Sequence, residues 1–318
     1  MYILCINIFT ISIFLFLKES SVYISMPEGP EIAVTVYFLR TYLLGKKLGK
    51  IRVLGGRYTH QVLKGQNLLQ DTLKVHDVDF KGKFMWIELE GGIYILNTFG
   101  MSGRWEIAST ADPNARVRFN LGDKYLYFID PRNFGTVVMT KGRKALETKL
   151  QKLGTDLLQT DMTINELAHH ITEYSDMRKT DQNIVKVLMD QEKGIGSGIG
   201  NYLCSEILYD AKISPHRTIQ SLEKKEVRRL ARSIKKIMKL AYQDNRTGYM
   251  QNFGSYIDKH ISKVRKAKFP EFHKDIKLGK KKFSFKVYGQ ETDLKGNEVV
   301  REKINGDRTT HWVPEIQK

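Results

Sequence analysis

Cysteine is nearly absent: Cys5 and Cys204 are the only two in 318 residues. Two thiols build neither a disulfide framework nor a cysteine-rich zinc site, and such sparse usage fits a reducing compartment. Acidic residues are also scarce, 35 against 52 lysines and arginines, leaving a formal net charge of +17 and a pI near 9.6. Because the basic residues cluster, the imbalance points to a polyanionic partner. Repeats and low-complexity tracts are missing. Only one long apolar run occurs, Met1 to Leu17, closed by Lys18, Glu19 and Ser20. It stands at the lower edge of what spans a bilayer. It lacks a basic n-region, and no small-x-small site falls just before Pro27, so it matches a secretory signal incompletely. Residues 1–25 are therefore read as an apolar leader outside the working protein.

Immediately after the leader the sequence is chemically unusual. Residues 26–31 read Met26-Pro27-Glu28-Gly29-Pro30-Glu31. A proline inside a chain has a planar amide nitrogen with a delocalised lone pair. If the chain began at Pro27, that nitrogen would be a free secondary amine with a pKa of about 8, nucleophilic at neutral pH. Such an amine attacks an aldehydic carbon to give an iminium, and Glu28 and Glu31 supply the acid and base that imine chemistry at a sugar carbon requires.

The rest is long enough for two domains. Glu31 to Leu44 places Ile32, Val36, Leu39 and Leu43 on one helical face, and Gly45 stops the helix. Short β-rich segments come next: Ile51 to Leu54, Phe84 to Glu90, Ile93 to Thr98, Val117 to Leu121 and Tyr125 to Ile129. They predict a leading helix entering a β-sandwich or flattened barrel over residues 26–150. Lys141 to Lys152 reads as a connecting helix. Residues 151–282 turn helical, with Thr163 to Tyr174, Asn183 to Gln191, Asn201 to Ala211, and Leu222 to Tyr242, where Val227, Leu230, Ile234, Met238 and Ala241 form a stripe. Asn245 to Leu278 is polar, basic and aperiodic, as in a mobile loop or lid. From Phe283 to Lys318 strand-like alternation returns, with a turn at Lys295-Gly296-Asn297 and a return strand at Thr309 to Val313. The fold class is thus α+β.

Gly194-Ile195-Gly196-Ser197-Gly198-Ile199-Gly200-Asn201-Tyr202 lies between two helical stretches. A Walker loop needs a Lys-Ser or Lys-Thr ending and a dinucleotide fingerprint needs a preceding strand; neither is present. The loop reads either as a tight interhelical turn or as backbone amides aimed at an anion, such as a DNA phosphate, at the start of the Asn201 helix.

Five ordered motifs carry a resemblance. Met-Pro-Glu-Gly-Pro-Glu, Lys81-Gly82-Lys83-Phe84, Phe99-Gly100-Met101-Ser102-Gly103, Asp130-Pro131-Arg132-Asn133-Phe134-Gly135 and the block from Leu188-Met189-Asp190-Gln191 to Glu206 resemble the formamidopyrimidine-DNA glycosylase and endonuclease VIII family. The resemblance spans Met26 to Lys318 and is strongest to the endonuclease VIII-like proteins of giant DNA viruses. It implies a bifunctional DNA glycosylase and abasic-site lyase of base excision repair. Such an enzyme takes oxidised bases, pyrimidines by the endonuclease VIII branch, out of the duplex and cleaves the strand by β,δ-elimination. It implies Pro27 as nucleophile at C1′, Glu28 in deoxyribose opening and proton transfer, Glu31 as an organiser of the site, and Lys83 beside the phosphodiester. Without the resemblance Lys83 reads equally as a surface strand lysine. Met101, Arg132 and Phe134 match the trio that fills the gap left by an everted base, although Phe134 alone also fits a turn anchor. Asn201 matches the phosphate-contacting asparagine of the helix-two-turn-helix motif. Arg308 matches the finger arginine that grips phosphates.

The tail departs from most of that family. Where the second pair of zinc-binding cysteines is expected, the chain has Val313 and Ile316, which cannot bind zinc. This predicts a zincless β-hairpin finger held by packing of Trp312 and Tyr288, with His311 an ordinary strand histidine. No metal or small-molecule cofactor is expected; the partner is damaged DNA, the protein a monomer, its location intracellular with DNA, whether in a viral factory, virion or nucleus. Two other readings stay open. A non-catalytic DNA-binding module would need neither Glu28 nor a free Pro27, and a form tethered through Met1 to Leu17 would keep Pro27 as an amide.

Overall fold

The alternation after Gly45 becomes two antiparallel sheets packed face to face. The computed structural model describes residues 27–252 and 269–318, so the apolar leader and Cys5 lie outside the described residues. Helix α1 (Gly29–Leu43) leads into β1 (Lys47–Leu48), β2 (Ile51–Val53), β3 (Leu73–Lys81), β4 (Phe84–Leu89), β5 (Ile93–Thr98), β6 (Arg104–Ala108), β7 (Ala115–Asn120), β8 (Tyr125–Ile129) and β9 (Thr136–Lys141). One sheet has the order β1-β3-β4-β5-β9, the other β2-β7-β8-β6. Their inner faces share one core in which the Trp105 ring lies 5.1 Å from Phe128. The buried indole N–H of Trp105 donates to Asn97 Oδ1 at 2.9 Å, tying β6 to β5 across the two layers. An unpaired buried N–H would cost about 1–3 kcal/mol, so this bond fixes how the sheets stack.

Helix α1 is buried almost all round because it lies between β3 and a long helix of the second half. Arg40 in its last turn pairs bidentately with Asp77 of β3 at 2.8 and 2.9 Å. The second half comprises α2 (Lys144–Lys152), α3 (Ile164–Asp176), α4 (Ile184–Met189), α5 (Asn201–Ala211) and α6 (Lys224–Asn252). No helix of the described residues is long and apolar enough to cross a membrane.

Helix α6 runs well past the expected end at Tyr242, which corrects part of the predicted loop. Residues 245–252 are helical. Residues 269–278 are strapped to α6 by its two buried lysines. Lys239 donates to Glu271 and to the carbonyls of His273 and Ile276 at 3.0–3.1 Å, and Lys235 pairs with Asp275 at 2.9 Å. These lysines explain why that stretch is ordered despite its polarity: a buried ammonium needs oxygens, and the strap supplies those of Lys239 and, together with the Met162 carbonyl, those of Lys235. The part of the predicted lid at 253–268 lies outside the described residues.

The tail forms β10 (Val300–Asn305) and β11 (Arg308–Trp312), an antiparallel hairpin. Val313 and Ile316, standing where metal ligands were expected, pack with Val287, Val299 and Tyr209 in a small apolar core. Tyr288 stacks near His311 at 4.7 Å and Trp312 meets His216 at 5.1 Å, as packing by those two aromatics requires. Two carboxylates add what the sequence pattern does not reveal. Glu206 of α5 accepts the backbone N–H groups of Lys286, Val287 and Tyr288 at 2.9–3.0 Å. Asp293 accepts from Lys295 N–H, Asn297 N–H and Nδ2 and the Tyr209 hydroxyl at 2.8–2.9 Å. Burial raises the Asp293 carboxyl, but these donors outweigh it and hold the group down to about 2. Among the described residues no cluster of three or more His, Cys, Asp or Glu side chains stands ready for a metal.

Candidate functional site

The site forms where three chain segments meet at the first turn of α5. The first is the start of α1. Glu28 is its N-cap, with extended backbone, and its own N–H donates to Glu31 Oε2 at 2.9 Å. The Glu28 side chain does not stay local. It crosses to α5 and accepts the backbone N–H groups of Gly200 at 2.7 Å, Tyr202 at 3.0 Å and Leu203 at 3.3 Å. A helix N-terminus leaves such donors unpaired and carries partial positive charge, so it receives a carboxylate well.

This overturns one expectation. The amides of the glycine loop take Glu28 as their anion, not a DNA phosphate. Other loop donors are also committed: Gly198 N–H to Gln191 Oε1 at 2.9 Å and Ser197 N–H to Thr155 O at 2.7 Å. The glycines serve close approach. A Cβ on Gly200 would come within 2.4 Å of the Glu28 carboxyl, and Gly29 N–H bonds Gly198 O at 2.8 Å.

The second segment is the β3–β4 turn. Gly82, at φ +58, faces Ser197, whose Cβ a side chain there would meet at 2.6 Å. Each residue of the turn is bolted down. Lys81 Nζ holds the carbonyls of Leu150 and Leu153, Gly82 N–H donates to Asp156 Oδ2 at 2.7 Å, and Lys83 Nζ donates to Ile199 O at 3.1 Å. Lys83 is thereby placed beside Glu28. Burial lowers its pKa, the Glu28 charge raises it in part, and Arg308 lowers it further. Glu28 responds in kind: burial raises it, the charge of Lys83 and the three amides oppose, and it comes to about 7. An acid near 7 serves as both donor and acceptor of protons at neutral pH.

Pro27, partly exposed, immediately precedes this carboxylate. Glu31 accepts at Oε1 from the Tyr202 hydroxyl at 2.7 Å and from Asn245 Nδ2. Burial raises Glu31 to about 8, with the Tyr202 hydrogen bond opposing and the Glu28 charge reinforcing. Pro27, Glu28, Glu31 and Lys83 therefore lie in one place. Tyr202, Asn245, Gln191 and Asp156, which hold the site together, carry no signal of that role in the sequence; Gln191 and Tyr202 sit inside the Leu188 to Glu206 motif, while Asn245 and Asp156 lie outside all five.

The third segment is the finger. Asn201, first residue of α5, donates from Nδ2 to Thr309 O at 2.9 Å, while its Oδ1 is buried without a partner among the described residues. Arg308, at the start of β11, is exposed and makes no ion pair with a described residue. Its charge reaches Lys83.

Met101, Arg132 and Phe134 form a separate ridge on the sandwich. Met101 and Phe134 are 42% and 59% exposed, large values for apolar side chains, and Arg132 Nη1 lies 3.8 Å from Met101 Sδ. Buried Asp130 organises the ridge from below, accepting Ser102 Oγ–H at 2.6 Å and Gly135 N–H at 2.7 Å. It thus locks the Met101 loop to the Arg132–Phe134 loop, a role its place at the head of the Asp130 to Gly135 motif could have suggested.

Three family models match in chain order: the formamidopyrimidine-DNA glycosylase N-terminal domain over residues 26–137, the H2TH domain of the same enzyme over 153–252, and its C-terminal domain over 274–318. The formamidopyrimidine-DNA glycosylase of Polynucleobacter necessarius is 30% identical over 224 residues, 69% of this chain and 79% of the relative. That of Carboxydothermus hydrogenoformans is 27% identical over 304 residues, 92% of this chain and all of the relative. In fold, a Lactococcus lactis Fpg in complex with DNA containing an oxidized pyrimidine superposes with a TM-score of 0.69 at 22% identity, covering 92% of this chain and 100% of the other.

Proposed function

The chain belongs to the formamidopyrimidine-DNA glycosylase family, and on that premise we propose that it excises oxidised bases from DNA and then cleaves the abasic strand through an imine at Pro27. The observation that supports this most is the convergence of Glu28, pushed to about 7, and Lys83 next to Pro27 at the first turn of α5. In the proposed reaction the Pro27 lone pair bonds to C1′ as the C1′–base bond breaks, and the base departs with a proton. The amine proton passes to solvent. Protonated Glu28 gives its proton to O4′ as the C1′–O4′ bond opens, and the nitrogen electrons close the C1′=N⁺ iminium. Loss of a C2′ proton expels the 3′ phosphate; loss of a C4′ proton then expels the 5′ phosphate. Lys83, a cation beside this path, offsets phosphate charge.

Met101, Arg132 and Phe134 are proposed to occupy the gap left by the everted nucleotide. Pyrimidines are the proposed lesions, a proposal that rests on the resemblance of the sequence motifs to the endonuclease VIII branch. The reaction is proposed to need no metal or small-molecule cofactor, and the protein is proposed to act as a monomer. The test is incision of duplex and single-stranded oligonucleotides bearing one defined oxidised base by protein that begins at Pro27. The expected products carry phosphate at both new ends; intact strands across the whole panel would overturn the reading.

Asn201 and Arg308 are proposed to hold phosphates flanking the lesion. Arg308→Ala is expected to weaken DNA binding and to lower the slope of log K against log salt by about 0.9 for each phosphate the arginine neutralises. A fluorescence-anisotropy titration between low and moderate salt reads this, and an unchanged slope removes Arg308 from phosphate recognition.

A further inference from the structure

We infer that Tyr202 is the positioning residue that joins Glu28 and Glu31 into one proton-sharing unit, with its backbone N–H on the first carboxylate and its hydroxyl on the second. This rests on the imine chemistry proposed for Pro27. Among the described residues Tyr202 is the one that donates to both carboxylates: N–H to Glu28 Oε1 at 3.0 Å and O–H to Glu31 Oε1 at 2.7 Å. Both links come from a single residue whose place is over-determined. The ring is buried and meets Phe283, Phe285 and Tyr288 edge-on at 5.5–6.3 Å, and its backbone lies in the first turn of α5.

The bonding leaves few choices for the protons. From the other described residues Glu31 receives three donors, Tyr202 O–H and Asn245 Nδ2 at Oε1 and Glu28 N–H at Oε2, and its own backbone N–H also acts on the carboxylate. Oε1 therefore has both lone pairs engaged, and only Oε2 retains a site for a proton. The Tyr202 hydroxyl stays protonated, since burial and the charges of Glu31, Glu28 and Glu206 all raise its own pKa. It remains a donor, and the donation favours the ionised form of Glu31. The charge of Glu28 in turn raises Glu31, so the pair loses its first proton from Glu28 at about 7 and its second from Glu31 at about 8.

The other groups facing this unit are Lys83 from the β3–β4 turn, Arg308 and Tyr288 from the finger side, Cys204 and Glu206 from α5, and Asn245 from α6. Among the described residues Lys83 is the cation whose charge acts on Glu28. Asn245 bonds Glu31 from α6, so the unit also reports the seating of that helix.

Tyr202→Phe removes the hydroxyl and keeps the ring and the N–H. The hydrogen bond that lowers Glu31 is lost, so Glu31 titrates higher. Glu28, which titrates while Glu31 is still protonated, keeps its step. The upper of the two macroscopic steps in the pH dependence of single-turnover strand cleavage is expected to rise by about one unit while the lower stays in place. A merely structural role lowers the rate at every pH and leaves both steps in place, and that result overturns the inference.

A second measurement does not depend on activity or on the variant folding. In wild-type protein labelled with ¹³C at tyrosine Cζ and glutamate Cδ, the Tyr202 Cζ resonance is expected to move with the carboxylate titration of Glu31. A Tyr202 resonance that stays flat while Glu31 titrates overturns the coupling. Protein beginning at Pro27 that incises no DNA overturns the functional reading alone, and the resonance measurement still decides the role of Tyr202.

Discussion

Protein that begins at Pro27 is expected to be trapped by borohydride on DNA containing an abasic site, whereas protein that retains Met26 forms at least about 10³-fold less adduct. The difference arises from one bond. A secondary amine of pKa about 8 holds a usable unprotonated fraction at pH 7, while an amide nitrogen in the same ring has its lone pair delocalised into the carbonyl. Position adds to it, because Pro27 stands next to the N-cap whose carboxylate is pinned to α5 at 2.7–3.3 Å. The nitrogen therefore approaches a sugar carbon with an acid already in place. One competitor exists. Lys83 lies partly buried beside the same carboxylate with a pKa lowered by desolvation, which is how a lysine becomes a Schiff-base nucleophile. Trapping separates the two. An adduct that persists with Met26 retained and disappears in Lys83→Ala transfers the nucleophile to Lys83; an adduct that requires a free Pro27 and survives Lys83→Ala keeps it at proline.

Most of the architecture is legible in the sequence because its signals are local. The leading helix, six strands (β2, β4, β5, β7, β8 and β11) and the five helices α2 to α6 emerge from periodicity and punctuation, and their ends shift by only a few residues, except at α6. β3 escapes for a physical reason: its register shifts between Val75 and Asp77, so a bulge breaks the alternation that identifies a strand. Lys74, Asp77, Asp79 and Lys81 add polar side chains that obscure the pattern further. The extension of α6 escapes because its C-terminal turns carry no continuing apolar stripe. In the site, residue types and order reveal Glu28, Glu31 and Lys83 through the family resemblance, but not how they are held. The three amides on Glu28 belong to residues more than 170 positions away, and a carboxylate that caps a second helix leaves no mark in its own neighbourhood. The glycine loop shows the same limit. Its amides do meet an anion, but the anion is part of the chain.

Glu28→Gln is expected to reduce base excision by about 10²–10⁴-fold, the range supplied by a positioned acid–base group. Its effect on stability has a sign that tests the site independently. Two forces act on Glu28: burial favours the neutral acid, while Lys83 and three amides favour the carboxylate, and the balance lies at about 7 against an ordinary 4.5. A folded-state pKa above the unfolded value means that this group's contribution to stability is complete below about pH 4 and fades as pH rises through 7. Glutamine carries no such titration. It also presents an N–H₂ to amides that themselves donate, leaving at least one without an acceptor at a cost of about 1–3 kcal/mol. The variant should therefore be less stable than wild type at pH 5, and the gap should narrow by pH 8.5, where the buried charge costs the wild type most. Denaturant midpoints at the two pH values read this directly. A gap that widens toward pH 8.5 would mean that the amides of α5 dominate over burial, that Glu28 stays ionised throughout, and that the proton delivered to O4′ has to come from another group.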